Sequence, residues 1–152
     1  MLDIVLVEPE IPQNTGNIGR TCVALNAKLW LVKPFGFELT DKYLRRAGLD
    51  YWQYLEYEII DSLDEMLDRF RDRRLWFLSK KATQLYTDVA YADGDMLVFG
   101  KETTGLPEVL LKQRDRHALR IPQAPEARSL NLATAVAICG YEAVRQLGIT
   151  PK

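Results

Sequence analysis

The sequence predicts a single α/β domain with a mainly parallel sheet and helices on both faces. Short apolar runs, which are typical of buried strands, alternate along the chain with segments whose apolar residues recur at helical spacing. No internal repeat, linker or low-complexity stretch interrupts this alternation. With 152 residues, of which 47% are hydrophobic and 27% charged, the chain is long enough to bury one core. We therefore expect residues 1–152 to form one domain.

The first half of the chain contains three apolar runs that predict strands, at residues 2–7, 28–32 and 56–60. Three helices are predicted beside them, at residues 15–26, 40–46 and 61–70. The first of these helices follows the capping residues of Asn14–Asn17 and carries Ile18, Cys22 and Leu25 at helical spacing.

The second half predicts three further strands, at residues 75–78, 95–99 and 118–121, and two helices, at residues 107–112 and 130–147. Residues 80–94 predict no regular element. Ser129 is a suitable N-cap for the last helix, and Gly148 ends it. That helix is rich in small residues and has almost no charge before Glu142. A helix that is apolar on all sides needs cover on all sides, so we expect a twofold homodimer.

Single residue types exclude several classes of protein. His117, Cys22 and Cys139 are too few for a four-ligand zinc site, so no metal is expected. The N-terminus lacks the basic region of a signal peptide, and no apolar run is long enough to span a membrane. We therefore expect a cytoplasmic protein. Four arginines between residues 69 and 74 alternate with acidic residues and predict a solvated surface.

Three polar segments lie where predicted strands end, at residues 14–20, 96–107 and 120–135. Ligands of open α/β sheets bind at such positions. Gly100 and Gly105 have P-loop spacing, but Leu106-Pro107 replaces the lysine and hydroxyl residue that a P-loop requires. From the pattern alone, the first segment fits a solvated helix face as well as it fits a ligand site. Gly100 and Gly105 likewise fit a simple turn that they close.

Together, the three segments resemble the motifs of SPOUT-class RNA 2′-O-methyltransferases. The motifs are Asn-x5-Arg, then Phe-Gly-x-Glu-x-x-Gly-Leu-Pro, and then Arg-Ile-Pro followed by Arg-Ser-Leu-Asn-Leu-Ala. Residues 8–18 and 44–51 are similar to the minimal, single-domain branch that methylates the wobble ribose at position 34 of tRNA. The resemblance covers nearly the whole chain. It implies a trefoil-knotted fold, S-adenosylmethionine as cofactor, and a homodimer that acts on the anticodon stem-loop, with leucine tRNAs as expected substrates.

The resemblance also implies the residues of the site. The expected cofactor-binding residues are Leu78, Gly100, Glu102, Ile121, Gln123, Ser129, Leu130 and Asn131. Gly100 lacks a Cβ, which would let its backbone approach the adenosine closely. Arg20 matches the catalytic arginine of the family, and Asn14 would position Arg20 or the ribose. Because guanidinium stays protonated, we expect Arg20 to orient the substrate and to stabilise negative charge that develops on the 2′-oxygen.

RNA binding requires cations, and the expected RNA-binding residues are Lys42, Arg45, Arg46, Arg128 and Tyr141. The aromatic residues Tyr51, Trp52 and Tyr54 follow this basic stretch and suit either an unstacked base or the protein core. Two alternative functions stay open: methylation of another tRNA or rRNA site, and a non-catalytic RNA-binding dimer of the same fold. The complete cofactor loop disfavours the non-catalytic dimer, because a protein that only binds RNA does not need such a loop.

Overall fold

A seven-stranded parallel sheet forms the centre of the protein in the computed structural model, which describes residues 1–39 and 50–149. The strands are β1 (Asp3–Val7), β2 (Lys28–Val32), β3 (Tyr57–Ile60), β4 (Leu75–Leu78), β5 (Gln84–Leu85), β6 (Met96–Phe99) and β7 (Ala118–Arg120). Their order across the sheet is β3-β2-β1-β6-β4-β7-β5, and each neighbouring pair is parallel. The predicted fold class is confirmed, while the knot stays a prediction.

Helices cover both faces of the sheet. The helices are α1 (Pro12–Leu25), α2 (Leu63–Arg69), α3 (Glu108–Gln113) and α4 (Leu132–Leu147). On one face, Ile18 of α1 and Val136 of α4 share a buried cluster with Leu97 of β6. On the other face, Met66 of α2 and Leu110 of α3 belong to a second buried cluster. Because strands covered on both faces need apolar residues at successive positions, their sequences are nearly continuous apolar runs.

Helix α1 begins earlier than the sequence pattern predicts. Pro12 occupies the first turn, where its fixed φ suits a helix and its missing N–H costs no hydrogen bond. The amides of Asn14 and Thr15 donate to the Ile11 carbonyl at 3.1 and 3.3 Å. Asn14 and Thr15 therefore lie within the helix and do not cap it. The helix ends at Asn26, whose φ of 54° is left-handed.

The N-cap of α4 is Asn131, and the prediction of Ser129 was wrong. The Asn131 side chain accepts hydrogen bonds from the amides of Ala133 and Thr134, at 2.9 and 3.3 Å. Ser129 lies too far before the first helical residue, Leu132, to reach these amides. Both residue types are good caps, and only the backbone geometry distinguishes them.

The described residues bury helix α4 on one side only. Val136, Cys139 and Ala143 are completely buried against the sheet and α1. On the outer side, Ile138 is partly exposed and Tyr141 is 51% exposed. The apolar outer side therefore has no cover from residues 1–39 and 50–149.

Two other predicted features differ from the structure or lie outside it. Strand β5 falls in the stretch for which no element was predicted, because a two-residue strand is too short to show periodicity. The predicted helix at residues 40–46 lies outside the described residues.

Two arginines of the run, Arg73 and Arg74, bind buried carboxylates at the amino ends of the strands, whereas Arg71 is exposed as predicted. Arg73 donates to the buried carboxylate of Asp3 at 2.5 Å, at the start of β1. Arg74 donates to the buried carboxylate of Asp95 at 2.7 Å, directly before β6. The carboxyl ends of the same strands are the ones that remain open to ligands.

Candidate active site

A cavity of about 830 Å³ lies at the carboxyl ends of the central strands. Its walls come from the loops after β1, β4, β6 and β7 and from the start of α4. Strands β1 and β6 are neighbours at the point where the chain order across the sheet changes direction. Open α/β sheets bind ligands at such a switch point, so the topology itself makes this cavity the candidate site.

The structure brings the expected cofactor-binding residues together around this cavity. All of them line it: Leu78, Gly100, Glu102, Ile121, Gln123, Ser129, Leu130 and Asn131. Asn14 of α1 lines it as well. Asn14 and Asn131, which are more than 100 positions apart in the sequence, therefore line the same cavity.

The side-chain amide of Asn14, in the first motif, links the second motif at Glu102 to the third at Asn131. Its Oδ1 accepts a hydrogen bond from Nδ2 of Asn131 at 3.0 Å, and its Nδ2 donates to Oε2 of Glu102 at 3.3 Å. Asn14 is buried, so both hydrogen bonds are largely shielded from water. This bridge connects α1, the loop after β6 and the N-cap of α4.

The loops after β1 and β6 are joined by reciprocal hydrogen bonds. The Glu102 carboxylate accepts from the amides of Glu10 and Ile11, at 2.9 and 2.5 Å. The Glu10 carboxylate accepts from the Thr103 amide at 3.0 Å and from its hydroxyl at 2.7 Å. The hydroxyl hydrogen bond, followed by the amide one, lowers the pKa of Glu10, which is therefore ionised at neutral pH. Each loop thus supplies a carboxylate that holds the other loop.

The conformation of the loop after β6 requires Gly100. A Cβ at this position would lie 2.1 Å from the carbonyl carbon of Gly105 and 2.2 Å from the Leu106 nitrogen. Gly105 itself has a φ of +70°, and its amide donates to the Lys101 carbonyl at 2.9 Å. The loop folds back onto Gly100, and the backbone of Gly105 and Leu106 leaves no room for a side chain there. This contact requires a glycine independently of any bound adenosine.

Gln123 has a buried polar atom that forms no hydrogen bond with residues 1–39 or 50–149. Its Oε1 is buried and has no hydrogen-bond partner among the described residues, and the residue lines the cavity. An unsatisfied buried acceptor costs free energy, which a ligand that donates a hydrogen bond would recover. This atom is an indication that the cavity is built for a polar ligand.

Arg20 lies apart from this cluster. It is exposed on α1, outside the cavity lining formed by the described residues, and its guanidinium carbon is 5.0 Å from the centre of the Tyr51 ring. The side-chain amide of Asn14 forms its hydrogen bonds with Glu102 and Asn131 instead. The structure therefore does not bring the two expected catalytic residues together in one chain.

The expected RNA-binding residues are only partly described. Arg128 and Tyr141 are both exposed, whereas Lys42, Arg45 and Arg46 lie outside the described residues. The neighbouring aromatic residues have different environments: Trp52 is 9% exposed and belongs to the core, while Tyr54 is 73% exposed.

The sequence pattern missed the part of the cavity wall that follows β4. Ser79, Lys80 and Lys81 line the cavity, although their stretch was assigned no element. Their position directly after a predicted strand was the available signal, because parallel strands present their carboxyl ends at the same edge. Glu10 was also missed, since nothing in the local sequence indicates its contact with Thr103.

Residues 1–39 and 50–149 contain neither a helix that is long and apolar enough to cross a membrane nor a cluster of three His, Cys, Asp or Glu side chains placed to hold a metal ion. Both cysteines, Cys22 and Cys139, are buried thiols that form no disulfide.

The family model of the SpoU rRNA methylases matches residues 1–141. The chain belongs to the SpoU methylase family. A tRNA (cytidine(34)-2′-O)-methyltransferase from Saccharophagus degradans is 48% identical to this SpoU methylase over 149 residues, which is 97% of each protein. The family resemblance expected from the three motifs is confirmed.

Two solved structures have the same fold as this chain. One, described as "Structural insights into the 2-OH methylation of C/U34 on tRNA", is 43% identical with a TM-score of 0.89 and covers 96% of this chain and 95% of that chain. A SpoU methyltransferase from Streptomyces viridochromogenes, solved in complex with the cofactor AdoMet, is 27% identical with a TM-score of 0.83. That match covers 96% of this chain and 57% of the larger protein.

Proposed function

We propose that this SpoU methylase transfers a methyl group from S-adenosylmethionine to the ribose 2′-oxygen of nucleotide 34 in tRNA, in the cytoplasm. The main support is the convergence of three distant motifs on one cavity through Asn14, Glu102 and Asn131. The identity of 48% along almost the whole chain to a relative named for cytidine 34 supports the choice of nucleotide.

The cavity suits the proposed cofactor in size and chemistry. Its volume of about 830 Å³ lies within the usual range for ligand pockets, about 300–1,000 Å³. Leu78, Ile121 and Leu130 offer apolar surface for a nucleoside, and the buried Oε1 of Gln123 offers an acceptor. When bound, S-adenosylmethionine supplies an electrophilic methyl group on a sulfonium sulfur.

Arg20 would act on the RNA as a permanent cation. Because a guanidinium stays protonated in proteins, Arg20 cannot accept the proton of the 2′-hydroxyl. It would orient the substrate through a phosphate and stabilise the negative charge that develops on the 2′-oxygen. Burial raises the pKa of Tyr51 to about 12, so the neighbouring phenol is also protonated at neutral pH and is no base.

A homodimer would cover the outer side of α4. Thr134, Ile138 and Tyr141 recur there at positions i, i+4 and i+7, so they form one continuous stripe. A twofold axis through such a stripe would bury the same residues of both chains. The dimer would also combine the exposed cations Arg20 and Arg128 of two chains for one anticodon stem-loop.

The decisive experiment maps the methylated nucleotide. Purified protein is incubated with methyl-labelled cofactor and unmodified leucine tRNAs, and the label is located by nuclease digestion. We expect label on the 2′-oxygen of nucleotide 34 only. Label at any other nucleotide would contradict the substrate assignment.

The variant Arg20→Ala tests the catalytic role. Because Arg20 lies outside the cavity lining, we expect transfer to be abolished while the dissociation constant of the cofactor stays within about threefold, measured by calorimetry. Arg71→Ala, which removes a 72% exposed arginine at the end of α2, is the matched control and should retain activity. Loss of cofactor binding in Arg20→Ala would contradict the assigned role.

A further inference from the structure

A short 3-10 turn, Asp50–Tyr54, docks on the part of α1 that carries Arg20. Trp52 of this turn belongs to the core cluster beneath α1. A Cβ on Gly19 would lie 2.8 Å from the Trp52 ring, so the missing side chain makes room for the indole. The position of the turn relative to α1 is therefore set by close packing.

Tyr51 contacts the backbone and the side chain of the same helical turn. Its hydroxyl donates a hydrogen bond to the carbonyl oxygen of Gly16. In an α-helix this carbonyl is also the acceptor for the amide of Arg20, four residues later. The face of the Tyr51 ring lies 5.0 Å from the guanidinium carbon of Arg20, within the distance of a cation–π contact.

We propose that Tyr51 is a positioning residue for Arg20, whose guanidinium it holds in one orientation for the RNA. This inference rests on the proposed function of Arg20. A long, exposed arginine side chain loses conformational entropy when it engages the reacting ribose in the transition state. A ring already fixed by its hydroxyl and by the neighbouring Trp52 would reduce that loss, because the guanidinium is ordered before the RNA arrives.

The variants Tyr51→Leu and Tyr51→Phe separate the ring from the hydroxyl. We expect Tyr51→Leu to lower kcat by about 3- to 30-fold, the range of a cation–π contact, with the KM for the cofactor within about twofold. Tyr51→Phe keeps the aromatic face and should retain kcat within about threefold. Tyr54→Leu is the matched control, since Tyr54 belongs to the same turn but is 73% exposed, and its kcat should match the wild type.

Ring-fluorinated phenylalanines at position 51 test the electrostatic contact without changing the packing. Successive fluorines weaken the negative face of the ring, so kcat should fall steadily along the series while thermal stability stays constant. A purely structural role predicts no such trend. A flat series would overturn the inference even if Tyr51→Leu fails to fold.

The two proposals fail in different ways. If the wild type methylates RNA and the fluorinated series is flat, only the positioning role is wrong. If the wild type labels another nucleotide, the nucleotide assignment is wrong, and the position 51 series is measured at that nucleotide. If the wild type transfers no methyl group, the proposed function fails, and the role of Tyr51 fails with it.

Discussion

Glu102 accepts hydrogen bonds from three donors in a part of the chain more than 80 residues away. Two are the backbone amides of Glu10 and Ile11, and the third is the side chain of Asn14. Hydrogen bonds to an ionised carboxylate are stronger than those between neutral groups. Glu102, together with the reciprocal carboxylate of Glu10, therefore holds the loop that forms one wall of the cavity.

We expect Glu102→Gln to loosen this wall. A glutamine has one acceptor oxygen where the carboxylate has two, and its NH₂ group would face a backbone N–H. The free energy of unfolding should fall by about 1–3 kcal/mol, measured by urea denaturation. Affinity for S-adenosylmethionine should fall by about tenfold, or about 1.4 kcal/mol, measured by calorimetry.

Glu65→Gln is the control for this substitution. Glu65 is an exposed carboxylate in the first turn of α2, so its neutralisation should change stability by less than about 0.5 kcal/mol. Unchanged stability and cofactor affinity in Glu102→Gln would show that the two loops hold their positions without this carboxylate.

The strands β4 and β6 are joined at their amino ends by Asp95. Its buried carboxylate accepts from Arg74, from the Trp76 indole at 2.9 Å and from the Ala92 amide at 2.8 Å. Burial alone would raise the pKa of Asp95, but these hydrogen bonds outweigh it and hold the pKa below its ordinary value. The charged form of Asp95 therefore stabilises the folded state.

This lowered pKa predicts a loss of stability in acid. The contribution of Asp95 is fully present above its unfolded-state pKa, near about 3.9, and is lost as the pH falls through the lower folded-state pKa. Asp95→Asn should lower the free energy of unfolding by about 3 kcal/mol at pH 7. The free energies of unfolding of Asp95→Asn and the wild type should approach each other below about pH 4, as measured by urea denaturation across pH.

Asp72→Asn provides the comparison, because Asp72 is an exposed neighbour in the same segment. Asp72→Asn should change the free energy of unfolding by less than about 0.5 kcal/mol at every pH. A constant difference between Asp95→Asn and the wild type from pH 7 to pH 2 would show that the ionised carboxylate is not the stabilising form.

The described part of the molecule leaves one side of α4 without cover. The helix packs its buried face on α1 and the sheet, while Ile138 and Tyr141 face outward. Beneath it, burial raises the pKa of Cys139 to about 12, which reflects the apolar environment of the inner face. The proposed homodimer would give the outer face a comparable environment.

A charge at Ile138 should prevent this association. We expect the wild type to have about twice the chain mass of 17.4 kDa in light scattering, and Ile138→Glu to have the mass of one chain. Val109→Glu is the control, because Val109 is a 66% exposed apolar residue on α3 and should leave the mass unchanged. A dimeric Ile138→Glu variant would place the interface elsewhere.

The sequence predicted most elements and a set of residues that the fold places around one cavity, but not their boundaries or contacts. After a charged first residue, strands β1 and β2 are continuous apolar runs, so their class and position follow from residue type. Ser129 and Asn131 are both good caps by residue type, and the start of α4 depends on backbone angles that the pattern does not encode. The helix face at Thr134, Ile138 and Tyr141 could likewise be assigned only after the inner face was known.

Periodicity and residue type are local properties, and they were sufficient for the α/β class and the order of most elements, while the three motifs were identified by their resemblance to a known family. The contacts of Glu102 with Glu10, Ile11 and Asn14 are not local, nor is the stacking of Tyr51 on Arg20. Such contacts depend on which strands are neighbours and on how closely two backbones approach. Only the folded chain fixes these distances, since hydrogen bonds and van der Waals contacts act over a few ångströms regardless of sequence separation.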